Sequence, residues 1–292
     1  MIDGHEVYVG RSFGMRELDI TPELVQKFSA GTGDCNPHYT GDSEFGGPVA
    51  PALILHSEVY RDVSWYLSVF GNLHAKQEWE LFHPLMVGER VSAVRTIVDR
   101  YTKRDREYVV NEVDVFGSDG RLLNRGRTHQ SFLVKKDDMG ADVVDKDREK
   151  RSDRRFDVGE GAVLDEIAGA PKEISIEMCR KFSGPAKNYH NDVDEARKLG
   201  FPDIVVQGMM SLCFISEMMT ARYAEGWYVG GRMNVNLVNV LWQGETVTPR
   251  GILREVTPEG SRERGHLQVW CEKADGIKIV VGTASAMLGR TR

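Results

Sequence analysis

Two short stretches place titratable and polar groups just ahead of an apolar run. The first is Gly31-Thr32-Gly33-Asp34-Cys35-Asn36-Pro37-His38-Tyr39. The second is Ser183-Gly184-Pro185-Ala186-Lys187-Asn188-Tyr189-His190-Asn191-Asp192. A neutral imidazole can remove a proton near neutral pH and return it later, which makes His190 the leading candidate for proton transfer. Asp34 offers a carboxylate, and His38 a further imidazole. Asn188 or Asp192 is the candidate to orient His190, which spacing alone does not decide. The structural alternatives stand beside these readings: Asp34 as a loop cap, and His190 as a hydrogen-bonded loop residue. Each stretch leads towards a helix N-terminus, whose unpaired N–H groups and partial positive charge can hold an oxyanion. Gly208 is the candidate donor there.

The elements that must position these groups occur twice. Thr21-Pro22-Glu23-Leu24 and Ser175-Ile176-Glu177-Met178 both read as a capped start of a short amphipathic helix. Gly88-Glu89-Arg90-Val91 matches Gly244-Glu245-Thr246-Val247, and Asp119-Gly120 matches Asp275-Gly276. These features keep their order along the chain, so the sequence is read as a tandem duplication. The N-terminal repeat spans 1–135 and the C-terminal repeat 156–292. The charged run 136–155 reads as a solvated linker. Each copy is expected to hold a short helix, the polar loop, a long apolar helix (Ala50 to Val69, then Gly208 to Tyr223) and one antiparallel sheet. The expected strands include Val91–Val98, Glu107–Phe116, Thr128–Val134, Asn234–Val240, Thr246–Glu255, His266–Glu272 and Ile277–Ala284. Asp-Gly marks the hairpins.

In the second copy His190 is followed by Ala196, Gly200-Phe201 and Gln207-Gly208-Met209. This pattern resembles the MaoC-like family of hydratase-2 type enoyl-CoA hydratases and (R)-3-hydroxyacyl dehydratases. The likeness covers roughly residues 5–135 and 156–290. It implies an α+β double hot dog, each repeat an antiparallel sheet wrapped around a long helix. It also implies reversible addition of water to a 2-enoyl thioester on coenzyme A or an acyl carrier protein. The family signature is Ser-Gly-Asp-x-Asn-Pro-x-His. His190 falls on its histidine, and Gly208 on the helix-start glycine associated with the thioester carbonyl. The family's aspartate falls on Pro185, or on Ala186 with a gap, and Gln207 stands where a histidine is usual. In the first copy Asp34, Asn36 and Pro37 match, but Tyr39 holds the histidine position. Asn188, Asp192, Gln207 and Met209 are expected at the substrate pocket, with Arg232 on a coenzyme A phosphate. Met209-Met210 and Met218-Met219 are expected in the core, and Trp227 near the pocket mouth.

Bulk properties narrow the alternatives. The net charge of −6 speaks against a nucleic-acid partner. Four cysteines without a CxxC pair suggest no metal site and no disulfide framework, but buried thiols. No apolar run approaches a membrane span, and the N-terminus does not read as a signal peptide, so a cytoplasmic protein is expected. The expected partner is a small acyl thioester, with coenzyme A entering only as part of the substrate and no other cofactor. The chain is expected to be a monomer or a homo-oligomer, such as a dimer. A hot-dog thioesterase, or a non-catalytic acyl-thioester binder or partner subunit, is the alternative.

Overall fold

The structure, a computed structural model, describes residues 7–60, 72–104, 106–133 and 156–289. β1 (Ser12–Asp19) leads into α1 (Pro22–Thr32), where the Thr21 hydroxyl accepts the Leu24 N–H at 3.2 Å and Pro22 takes the first turn. The second copy repeats this start. β6 (Asp165–Ala168) and β7 (Lys172–Glu173) precede α2 (Ile176–Ser183), capped by Ser175 through the Met178 N–H. α1 and α2 touch closely: a Cβ added to Gly31 would lie 3.1 Å from the backbone nitrogen of Phe182.

The remaining strands are β2 (Leu73–Leu81), β3 (Arg90–Lys103), β4 (Arg106–Gly117) and β5 (Leu122–Leu133) in the first copy. In the second they are β8 (Arg232–Leu237), β9 (Thr246–Glu259), β10 (Arg262–Lys273) and β11 (Lys278–Met287). One sheet per copy was the expectation. Instead a single antiparallel sheet runs β1-β3-β4-β5-β2-β8-β11-β10-β9-β6, with β7 also on β9. The seam is β2 against β8, and it pairs Glu78 with Asn234. These two residues are equivalent in the duplication, so a local two-fold axis passes between them. Joining the copies this way satisfies two strand edges that would otherwise be open.

The duplication is written into the hydrogen bonds. Phe82 and His83 N–H both bond Leu123 O, as Val238 and Asn239 bond Ile279 O. Glu89 caps the Met86 N–H, and Glu245 the Trp242 N–H. The long helices differ. α4 (Gly208–Tyr223) has the expected bounds and packs on β9, β10 and β11, with Met209, Met210, Met218 and Met219 buried. The helix expected from Ala50 begins otherwise: 52–55 are turns, and His56–Tyr60 is a 3₁₀ segment. Its bonds run from Ile54 to Pro51, His56 to Leu53 and Glu58 to Leu55, the tighter i→i+3 spacing. The rest of that expected helix, and the linker 136–155, lie outside the described residues. Among the described residues no helix is long and apolar enough to cross a membrane. Cys179, Cys213 and Cys271 are buried free thiols as expected, but Cys35 is exposed.

The two copies also differ in the chemistry of their buried sheet positions. Gln77, Arg95, Asn111, Asn124, Thr128 and Gln130 are all at most 4 % exposed. Their equivalents 156 residues later are Met233, Gly251, Leu267, Val280, Ala284 and Ala286.

Candidate active site at the start of the long helix

The second polar loop is stapled to the beginning of α4. His190 Nδ1 lies 2.7 Å from the carbonyl oxygen of Val205, and Ser183 Oγ donates to Gln207 Oε1 at 2.9 Å. A carbonyl only accepts, so Nδ1 carries the proton and Nε2 keeps its lone pair. Burial pushes the imidazole down to about 4, which leaves it neutral at pH 7. Gly208 follows Val205 by three residues, so the bonded carbonyl is within about 10 Å of the helix start. Gly208 and Met209 are first-turn residues, whose N–H groups have no intrahelical carbonyl before them. Space at Gly208 is tight: a Cβ there would overlap Leu237 Cδ2 and lie 4.0 Å from His74 Nδ1.

The proposed orienting partners of His190 have other tasks. Asp192 caps α3 (Val193–Lys198) through the Asp194 and Glu195 N–H groups and pairs with Lys187 at 2.8 Å. Asn188 Oδ1 accepts the backbone N–H of His190, and its Nδ2 holds Ser183 O and Ala186 O. Both residues therefore shape the loop and its exit rather than grip the imidazole. Val49 N–H bonds His38 O, and Val205 N–H bonds Tyr189 O, which sets Tyr39 and His190 at matching positions.

Asp34 lies elsewhere. It is buried, and its Oδ2 takes the Tyr39 hydroxyl at 2.6 Å while Oδ1 takes the Asn36 N–H at 3.3 Å. Burial raises its carboxyl, opposed by the Tyr39 bond and the charge of Lys172. Lys172 Nζ is 3.0 Å from Oε1 and 2.8 Å from Oε2 of Glu217, on α4. Burial, and then the negative charge of Asp34, push Glu217 up to about 7. Glu217 is nine residues along α4 from Gly208, about 13–14 Å. The two loops therefore serve different parts of the helix, and Asp34 belongs to the Glu217–Lys172 group rather than to His190. His38 is exposed, with Nδ1 bonded to Asp42 O at 2.7 Å.

Other expected site residues are displaced. Met209 is fully buried in the core. Arg232 faces Glu259 at 3.7 Å, at the end of β8 remote from Leu237 and Gly208. Trp227 is buried, its Nε1 donating to Ser216 Oγ. Sequence reasoning missed Glu217, although a lone carboxylate within a Met-rich apolar helix was a visible signal. It also missed His74, whose neighbours only the sheet assembles.

A solved structure described as a MaoC-like dehydratase is similar over 97 % of this chain and 98 % of its own, with TM-score 0.73 and 17 % identity. A MaoC-like dehydratase from Phytophthora capsici is similar over 99 % of both chains, with TM-score 0.71 and 14 % identity. A Mycobacterium tuberculosis protein described as having a double hotdog fold matches over 97 % of both chains, with TM-score 0.66 and 12 % identity. This chain has the double hot-dog fold. No family model and no curated protein matches its sequence. The double hot dog explains why the two polar loops lie at related places along one continuous sheet. It leaves the chemistry to the individual residues.

Proposed function

We propose that the chain is an acyl-thioester hydratase or dehydratase, acting on a 2-enoyl or 3-hydroxyacyl thioester carried by coenzyme A or an acyl carrier protein. The observation that carries this reading is the Nδ1–Val205 bond, which presents a neutral His190 with a free Nε2 lone pair beside the start of α4. In hydration, Nε2 takes a proton from water as the water oxygen bonds to C3. The displaced electrons move onto the thioester oxygen, where the first-turn N–H groups of α4 stabilise the enolate. The imidazolium then returns the proton to C2. Dehydration runs the same steps backwards. The MaoC-like dehydratases that share the fold support this class of reaction.

The test is loss of enoyl absorbance over a panel of 2-enoyl-CoAs, with thiol release followed in parallel. Hydration without free thiol, lost in His190→Gln, is expected. Free thiol would identify a thioesterase instead. A second reading, a non-catalytic acyl-thioester binder, is favoured by two observations. Asp192 is committed to its cap and to Lys187, and Pro185 stands where the family has its acid. Silence in both assays together with acyl-CoA binding would establish it.

A further inference from the structure

The sheet beside the start of α4 carries a buried polar patch that the mechanism above does not use. A bulge between His74 and Lys76 turns His74 to the same side as Gln77. Gln77 Nε2 donates to Glu78 O, so Gln77 Oε1 is an acceptor. It takes Thr128 Oγ1 at 2.6 Å and His74 Nε2 at 3.1 Å. His74 Nε2 is therefore protonated, and its bare Nδ1 takes the Tyr60 hydroxyl at 2.7 Å. Asn111 lies directly across from Thr128, and Gln130 is two residues along β5 on the same face.

The side-chain donors of Tyr60, His74, Gln77 and Thr128 are paired, and two acceptors lie beside them. Among the described residues no group donates to Asn111 Oδ1 or Gln130 Oε1, and these residues are 1 % and 4 % exposed. Gln130 Nε2 donates to Asn72 Oδ1. A buried acceptor without a donor costs about 1–3 kcal/mol. The second copy supplies an internal control. Its sheet holds Leu267, Ala284 and Ala286 at the positions of Asn111, Thr128 and Gln130, all buried, so the fold itself does not require polarity there.

We infer that this patch selects a hydroxyl-bearing acyl chain, whose O–H groups donate to Asn111 Oδ1 and Gln130 Oε1 while the thioester carbonyl lies at the start of α4. The placement follows from Gly208, where an added Cβ would lie 4.0 Å from His74 Nδ1, at the edge of the patch. An alkyl chain would leave both acceptors buried and unpaired. The inference rests on the hydratase reading for its substrate, but it is tested separately by binding.

Binding of saturated hydroxyalkanoyl-CoAs, with the hydroxyl placed along the distal chain, is compared calorimetrically with alkanoyl-CoAs of equal length. Turnover of the matching 2-enoyl-CoAs is measured alongside. Sites built to bond a hydroxyl reject the analogue lacking it strongly, so a preference on the order of 10²-fold or more is expected. Asn111→Leu and Gln130→Ala, which install the second copy's own residues, should each reduce that preference at least tenfold. Equal affinity of the wild-type protein for both series would overturn the inference, whether or not the variants fold. So would variants that gain thermal stability while keeping the preference. Turnover of both series at equal rates leaves a hydratase without this selectivity. A preference in binding with no turnover leaves the patch and removes the hydratase.

Discussion

Glu217→Gln should change how stability depends on pH. The ordinary value for glutamate is 4.5, and in the folded chain burial and Asp34 push Glu217 to about 7. The folded state thus holds a proton that the unfolded chain releases. Its stabilising contribution is complete below about 4.5 and is lost as pH rises through about 7. At 1.36 kcal/mol per unit, a rise of roughly 2.5 units corresponds to about 3 kcal/mol across that interval. His56, His74 and His190 act oppositely, because burial holds each at about 4 and their contribution is lost as pH falls below about 6.5. Stability of the wild-type protein alone would mix these effects, so the informative quantity is the difference between variant and wild type. The glutamine side chain would keep an acceptor for Lys172 but cannot ionise. Urea unfolding at intervals from pH 4.5 to 8.5 should therefore show the variant gaining about 3 kcal/mol relative to wild type as pH rises. A difference that stays flat would refute the raising of the Glu217 carboxyl by burial and by Asp34.

Four further outcomes are expected. Tyr39→Phe strips Asp34 of its hydroxyl donor, which should cost about 1–3 kcal/mol and lower the calorimetric melting temperature by several degrees; an unchanged melting temperature would count against that bond. Gly208→Ala drives a methyl into Leu237 and should lose about 1–3 kcal/mol in the same measurement, partly recovered when Leu237→Ala is added. Asp192→Ala should cost about 1 kcal/mol as a lost helix cap and leave hydration intact, whereas collapse of activity would mean that Asp192 serves His190 after all. The kcat/KM for hydration should hold from pH 8 down to about 5 and fall through about 4, following His190; a limb centred near 6.5 would assign the base elsewhere.

Much of this arrangement was legible in the sequence, for reasons that are local. Thr21 and Ser175 mark their helices through side-chain caps within one turn. The bounds of α4 follow from a mostly apolar run, and Asp119-Gly120 and Asp275-Gly276 mark turns whose glycines take positive φ. The features that escaped are non-local. β1 and β6 are mostly polar outward strands that become strands only by pairing with β3 and β9. The β2–β8 seam depends on two edges meeting across 156 residues. The stretch after Ala50 is apolar enough for a helix, but carbonyls three residues back take its first N–H groups. Asp34 was visible as a carboxylate, while its placement against Glu217 and Lys172 required the copies to be assembled.

The mismatch between the buried faces of the two copies bears on why such a chain is made in one piece. A symmetric pair of identical subunits must place the same residue on both sides of its axis, so a polar lining in one half obliges a polar lining in the other. At the seam, Glu78 and Asn234 still face one another across that axis. Away from it, Asn111 and Leu267, or Gln130 and Ala286, are free to disagree. Covalent linkage lets one half specialise in recognition while the other keeps the dry core that holds the sheet together.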